Sequence, residues 1–330
     1  MNIQKLLKDA IIPKDIGAMQ PKTLTSRIDE IDNQTLFFLT EGVSYDKRRL
    51  LPFILAKKPM AIVARKEDAR ALPNAAFIYH DNPRKALSHA LFHFYGLDKM
   101  KTRLIAVTGT NGKTTTATML FEILRSAKKG VGFIGTGRIQ INDRSLSFPY
   151  YSMTTPDPEL LYPILSKMNQ ENLEFAVMEA SSHALTLEKL SPLSFEIGIF
   201  TNLSEEHLDY HKSMEDYYLA KARLFENTSL ALINTDDVYG RRLSRELESK
   251  SVQTFGALYN ADVTATNVQG TDTFRSRYTY KAETLSFSVE LSLPGIYQIY
   301  NSLPAISAAI ALGISPHEAQ RAIEIGRAHV

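Results

Sequence analysis

The chain contains no cysteine. That absence excludes a disulfide scaffold, thiolate metal sites and a thiol nucleophile. It fits a reducing cytoplasm, the expected location. A dominant charge is missing too: 38 basic side chains meet 36 acidic ones, for a net charge of +2. No global field therefore draws nucleic acid or a membrane surface, and neither partner is expected. No apolar run reaches the ~20 residues of a bilayer span; the most apolar stretch, 303–314, is broken by Ser307. The N-terminus, MNIQKLLKDAIIPKDIG, lacks a signal-peptide shape, because its apolar pairs alternate with Lys5, Lys8 and Asp9. Internal repeats and low-complexity tracts are absent from the sequence. What is there is 330 residues, 44% hydrophobic and 22% charged. One core serves about 250–300 residues, so two domains are expected.

Residues 1–98 alternate short strands and helices. TLFFL at 35–39, MAIVA at 60–64 and Phe77 to Tyr79 read as buried strands. PRKALSHALFHFY at 83–95 has the apolar spacing of a helix with proline in its first turn. GLDKMK at 96–101 is polar and marks a boundary. A second βα series opens with LIAVT at 104–108, followed by a glycine turn and a helix to about 127. Apolar runs recur at 175–178 (FAVM), 197–200 (IGIF) and 231–233 (ALI), the pattern of a parallel sheet. Residues 253–293 alternate Thr, Ser and Tyr with apolar residues and predict antiparallel hairpins at a sheet edge; 301–312 reads as a small-residue helix. The expected fold is α/β: a small N-terminal α/β domain, then a P-loop-containing central domain with a mostly parallel sheet and an antiparallel edge.

Thr108-Gly109-Thr110-Asn111-Gly112-Lys113-Thr114-Thr115 lies between the strand at 104–108 and its helix. Glycines let backbone wrap a phosphate, and the turn and helix N–H groups favour anions. Lys113 would meet β/γ-phosphates and Thr114 would ligate Mg²⁺. The strict pattern has glycine five residues before Gly112, where this chain has Val107; the loop is a shortened one. A GxGxxG dinucleotide turn is excluded by Lys113, whereas a kinase stays open on the loop alone. At the ends of FAVM and IGIF stand Glu179-Ala180-Ser181-Ser182-His183 and TNLSEEHLDYH at 201–211. Strand carboxyl ends carry ligands in open α/β sheets, so Glu179 and His207 are candidate metal ligands beside the phosphates. His207 and His211 have i, i+4 spacing, but Leu208 stands where a zinc protease needs its glutamate. Lys221 read alone is a snorkelling helix lysine. Asn234-Thr235-Asp236-Asp237 could hold a ribose or adenine edge, or form an ordinary turn.

Together these blocks resemble the Mur ligase family, and within it the UDP-N-acetylmuramoyl-tripeptide synthetases. GTNGKTTT at 109–116, TTPDP at 154–158, MEASSHAL at 178–185, FTNLSEEHLDYH at 200–211, YLAKARLF at 218–225, NTDD at 234–237 and LPGIYQIYN at 293–301 follow in the family's order. The resemblance implies ATP- and Mg²⁺-dependent phosphorylation of the carboxylate of a UDP-N-acetylmuramoyl dipeptide. The amine of an amino acid then attacks, in peptidoglycan synthesis. By the same resemblance the ATP loop comprises Gly109, Thr110, Asn111, Gly112, Lys113, Thr114 and Thr115, with Asp236 and Asn301 at the nucleotide. Thr114, Glu179 and His207 would hold magnesium, and Lys221 matches the lysine that the family carbamylates into a metal ligand. Ser26 and Arg27 resemble a uridine-binding segment; Thr154, Thr155, Ser182 and Lys189 would face the muramoyl dipeptide. A monomer is expected.

Some positions depart from the pattern. Glu205-Glu206 stands where Arg-Asp is usual, Lys189 replaces an arginine and so loses its bidentate fork, Gln298 replaces an asparagine, and EGVSYDKRRL at 41–50 lacks a glycine after its aspartate. Asp81-Asn82-Pro83-Arg84 spells a tetrad of diaminopimelate-adding members, but it lies near residue 80 and reads as a helix start. The expected domains are 1–98 for the UDP-substrate, 99–323 for ATP, and 324–330 as an artefactual tail. EIGRAHV resembles a translated sequencing-adapter read, with the family's C-terminal ligase domain missing and no peptide product from this chain alone. Two rivals stay open: a non-catalytic nucleotide- or UDP-sugar-binding homologue, and a ligase of the folylpolyglutamate synthase kind.

Overall fold

The computed structural model describes residues 1–40, 47–69, 76–148, 152–206, 209–247, 251–270 and 275–325. The chain divides into two compact units, one of Met1–Met100, Pro156–Lys167 and Thr186–Pro192, the other of Lys101–Thr155, Met168–Leu185 and Leu193–Val330.

The first unit holds a four-stranded parallel sheet, β1 (Thr23–Thr25), β2 (Thr35–Phe38), β3 (Ala61–Ala64) and β4 (Phe77–Tyr79), in sequential order. β2 and β3 are buried at every position, which is why they read as unbroken apolar runs. The helix Pro83–Phe94 starts with Asn82 accepting the Lys85 amide and with proline in its first turn. It buries Ala86, Leu87, Ala90 and Leu91, one face at i, i+1, i+4, i+5.

The second unit is built on an eleven-stranded sheet. Its strands are β5 (Arg103–Thr108), β6 (Val131–Gly135), β7 (Arg138–Ile141), β8 (Arg144–Leu146), β9 (Phe175–Glu179), β10 (Phe195–Phe200), β11 (Thr228–Asn234), β12 (Ser251–Gly256), β13 (Val263–Gln269), β14 (Ser276–Ala282) and β15 (Leu285–Leu291). The order is β15-β14-β13-β12-β11-β10-β5-β9-β6-β7-β8. Pairing is parallel from β13 through β6 and antiparallel at both ends. The sequence pattern had implied hairpins throughout 253–293. Instead β12 lies parallel to β11, and β13 parallel to β12, so only β13–β14–β15 are antiparallel. Alternation records one-sided burial, not the direction of the partner strand. The second antiparallel edge, β6–β7–β8, follows a strand with two glycines that carried no clear strand signal.

The main core of this unit packs the helices Lys113–Ser126, Ile296–Ala311 and Pro316–Ile325 with the sheet. Lys113–Ser126 buries Thr116, Ala117, Leu120, Phe121, Ile123 and Leu124, an i, i+4, i+7 face that fixes where its first turn sits. The helix expected over 301–312 begins earlier, at Ile296, which puts Asn301 inside it. Among the described residues, no helix is long and apolar enough to cross a membrane.

Candidate active site

β5 ends at Thr108, and the chain turns through Gly109 to Gly112 into the helix at Lys113. Two glycines permit this. Gly109 has φ +148°, and a Cβ there would lie 1.9 Å from Thr201 Oγ1; Gly112 has φ +84°, and its Cβ would lie 2.3 Å from Asn301 Oδ1. Both backbone positions belong to glycine on torsion and on space. Gly112 occupies the N-cap without a side-chain bond, so the first-turn amides of a 14-residue helix have no side-chain cap. Such an end suits an anion. Thr115 sits half-buried in that first turn.

The end of β10 holds the loop. The Thr201 amide donates to Thr108 O at 3.0 Å, and the Thr110 amide donates to Asn202 O at 2.9 Å. The Asn111 amide donates to Asn202 Oδ1 at 2.9 Å, while Thr201 Oγ1 donates to Asn111 O at 2.6 Å. Two lysines converge on the same turn. Lys113 Nζ donates to Gly109 O at 3.0 Å and Thr110 O at 2.7 Å. Lys221, 1% exposed, donates to Gly109 O at 2.8 Å and stands 4.5 Å from the Tyr217 ring centroid. Lys221 is therefore no snorkelling surface lysine. Burial, then the like charge of Lys113, holds its pKa well below the ordinary lysine value, with Glu206 pulling the other way. Burial also lowers that of Lys113, against the pull of Glu179 and Glu206.

Beside the loop, β9 ends at Glu179, a carboxylate with no exposed surface. Thr114 Oγ1 donates to its Oε2 at 2.8 Å, and the Thr136 amide donates to its Oε1 at 2.9 Å. Thr136 Oγ1 lies 3.4 Å from the same Oε2 and 3.1 Å from Thr154 Oγ1. Thr155, also buried, donates to Glu179 O at 2.9 Å and accepts the Ser181 amide at 3.0 Å, so it shapes the turn after β9. Ser182 Oγ is 2.9 Å from His211 Nε2. His211 stacks on Tyr217 with centroids 4.8 Å apart, and the rings of His183 and Tyr210 are 3.9 Å apart.

Thr114 and Glu179 supply paired hard oxygens at the phosphate end of the helix, a donor set that fits Mg²⁺. No group of three or more His, Asp or Glu side chains among the described residues could hold a metal by itself. A cation here would complete its shell with phosphate oxygens and water. His207, the other expected ligand, lies outside the described residues.

Asn301 reaches the loop from the helix Ile296–Ala311: Thr116 Oγ1 donates to its Oδ1 at 3.5 Å. Asp236, the other residue expected at the nucleotide, is engaged by backbone amides and a tyrosine. It accepts the amides of Ala257, Leu258 and Tyr259 at 2.6 to 2.9 Å and the Tyr300 hydroxyl at 2.6 Å. The carboxylate thus ties the segment after β12 to the Ile296–Ala311 helix. The other expected substrate residues belong to the first unit. Ser26 donates through both its amide and its hydroxyl to Glu159 Oε1, at 2.9 and 2.8 Å. Arg27 is exposed and pairs with Asp29 and Glu30. Lys189 Nζ lies 2.7 Å from Asp157 Oδ1.

Thr201, Asn202 and Glu206 belong to the 201–211 block expected beside the loop, though none was singled out, whereas Thr136 and Tyr217 had no expected place in this cluster. The run VGFIG at 131–135 was the available signal for Thr136, since the next strand of a βα series ends there.

A parallel sheet whose central strand opens into a glycine-bounded phosphate loop, with a buried carboxylate at the next strand's end, defines a phosphate-loop α/β domain. Residues 107–309 match the family model described as Mur ligase middle domain, and the chain belongs to the Mur ligase family. Its relatives include UDP-N-acetylmuramoyl-L-alanyl-D-glutamate–2,6-diaminopimelate ligase 1 of Clostridium acetobutylicum, 35% identical over 317 residues, covering 96% of this chain and 64% of that protein. The corresponding ligase of Aquifex aeolicus is 34% identical over 308 residues, covering 92% of this chain and 61% of that one. A solved structure of a 2,6-diaminopimelate ligase of this name superposes with TM-score 0.84 at 25% identity, over 98% of this chain and 66% of that one. The chain thus spans about two thirds or less of the length of these relatives. A folylpolyglutamate synthase complex shares the fold at TM-score 0.60 and 16% identity, over 75% of this chain and 68% of that one.

Proposed function

We propose that this chain carries the nucleotide and acceptor sites of an ATP-dependent ligase that adds 2,6-diaminopimelate to UDP-N-acetylmuramoyl-L-alanyl-D-glutamate. The relatives' names supply the substrates; the cluster of Lys113, Lys221, Thr114 and Glu179 around one loop carries the chemistry. Residues 1–98 would receive the UDP end through Ser26 and Arg27, and 99–323 the ATP.

In this reading the loop from Gly109 to Thr115 and the uncapped helix end hold the triphosphate. Thr114 and Glu179 would hold magnesium, joined by His207 and by Lys221 once its neutral amine has added CO₂ and released a proton; the ion would supply charge neutralisation at the phosphates. The acceptor carboxylate attacks the γ-phosphorus, the bond to the β-phosphate oxygen breaks, and ADP leaves. The amine of the amino acid then displaces phosphate to form the amide. Lys113 follows the negative charge as it builds, which lowers the barrier without any proton transfer from the protein. In the second unit Thr154 and Ser182 would orient the acceptor, with Thr155 holding the turn after β9; Lys189, in the first unit, is a further candidate contact of the same substrate. Asn301 would fix the nucleotide against Gly112, while Asp236 braces that region from behind.

Isothermal calorimetry with UDP-N-acetylmuramoyl-L-alanyl-D-glutamate tests the acceptor. Saturable binding that UMP alone does not reproduce supports the reading; equal affinity for the two compounds rejects it.

A further inference from the structure

We infer that Thr136, which lies outside every recognised motif, couples a cation site at Glu179 to an anion site at Thr154. The inference rests on the ligase reading above and adds a positioning residue to it.

Three hydroxyls and one carboxylate form a chain in the second unit. Glu179 is fully buried, whereas Thr136 is exposed and Thr154 half-buried, so the chain runs from the interior to the solvent. The carboxylate is pressed against the turn that carries Thr136: a Cβ on Gly135 would lie 2.3 Å from Glu179 Oε1. That close approach brings the Thr136 amide to Oε1 at 2.9 Å and its hydroxyl to 3.4 Å from Oε2. On its other side, Thr136 Oγ1 is 3.1 Å from Thr154 Oγ1.

A hydroxyl carries one proton, so Thr136 cannot donate in both directions. In the structure it is placed as the donor to Thr154; if it donates to Glu179 instead, it offers Thr154 only lone pairs, and the Thr154 proton can turn inward to them. If it donates to Thr154, the Thr154 proton is released for an outside acceptor, such as a phosphate or carboxylate oxygen. Whether Glu179 faces a cation decides between them. A free carboxylate draws the Thr136 proton as a charge-assisted bond. A carboxylate already neutralising a divalent cation is a far weaker acceptor, and the proton turns to Thr154. Filling the cation site thus prepares Thr154 to receive an anion, and by linkage an anion at Thr154 favours the cation equally. Thr114, the third hydroxyl, is the group that shares Oε2 with Thr136.

Two substitutions separate this from packing. Thr136→Val removes the hydroxyl and keeps the amide bond to Oε1; Thr136→Ser restores the hydroxyl. Calorimetry on the full chain would measure the affinity for UDP-N-acetylmuramoyl-L-alanyl-D-glutamate in EDTA and in Mg²⁺, giving a magnesium gain for each protein. Wild type and T136S are expected to share one gain, and that of T136V to be smaller by about fivefold or more. An equal gain in T136V, including the case where it binds more weakly in both buffers, overturns the coupling and leaves the ligase reading intact. So does a wild-type protein that binds the dipeptide with no gain. A wild-type protein that binds it in neither buffer removes the ligase reading and this inference with it.

Discussion

Replacing Gly109 by alanine places a methyl group 1.9 Å from Thr201 Oγ1 and 3.1 Å from both N and O of Asn202. The hydroxyl cannot turn away freely, because it donates to Asn111 O at 2.6 Å and lies 3.3 Å from Thr108 O. The hydroxyl has a single proton, so losing this donation costs about 1 kcal/mol. Holding alanine at φ +148° adds about 1–3 kcal/mol, and the overpacking adds ~1–3 kcal/mol. The total, about 3 kcal/mol or more, exceeds what a close-packed turn absorbs in place, so the loop should shift. Guanidinium unfolding followed by far-UV circular dichroism suits a chain without tryptophan. The expected loss for Gly109→Ala is about 3–5 kcal/mol. Adding Thr201→Ala removes the obstructing oxygen and should return about 1–3 kcal/mol as a coupling energy. A wild-type midpoint for Gly109→Ala, or strict additivity in the double mutant, would falsify the claim that Thr201 bounds the loop.

Asp236→Ala leaves three amides and the Tyr300 hydroxyl without their shared acceptor; a loss of about 2–3 kcal/mol in the same unfolding assay is expected, and no loss would show that the carboxylate does not brace the segment after β12. Tyr217→Phe keeps the ring against Lys221 but breaks the 3.3 Å contact with Thr110 Oγ1, whereas Tyr217→Leu removes both. ATP affinity measured by calorimetry should therefore fall in the order wild type, Phe, Leu, and equal affinities would remove Tyr217 from the site. Lys221 gives a pH test. Its folded pKa lies below the unfolded value, so the unfolded chain binds the extra proton between the two. The penalty is full below the folded pKa and vanishes as pH rises to the unfolded one. Wild-type stability should thus climb with pH more steeply than that of Lys221→Met, and parallel curves would contradict a buried, depressed Lys221.

The phosphate loop was legible because an apolar run, a glycine turn and an amphipathic helix stand in one unbroken segment. Glu179 was legible because a polar residue ending a buried run marks a strand's carboxyl end. Thr136 was hidden by its own strand. A Cβ on Gly132 would meet Met168 at 2.5 Å, so the glycines of VGFIG serve packing while they imitate a loop. Lys221 was assignable only by resemblance, since no spacing reveals that Nζ donates to a carbonyl 112 residues away. The turn-like look of NTDD likewise concealed that Asp236 binds backbone more than 20 residues later. The hairpins expected over 253–293 are there in β13–β14–β15, but β12 and its pairing with β13 are parallel for a related reason: alternation reports a buried face, and partner choice depends on where the preceding helix returns the chain.

Lys113 and the turn from Gly109 to Thr115 are expected to grip a nucleotide by its β- and γ-phosphates. Calorimetric titration of the chain with AMP, ADP and ATP in Mg²⁺, repeated on Lys113→Met, measures this directly. Affinity should rise from AMP to ADP to ATP in the wild type, and the rise should flatten in K113M. Equal affinity for AMP and ATP, or an undiminished rise in K113M, would contradict it.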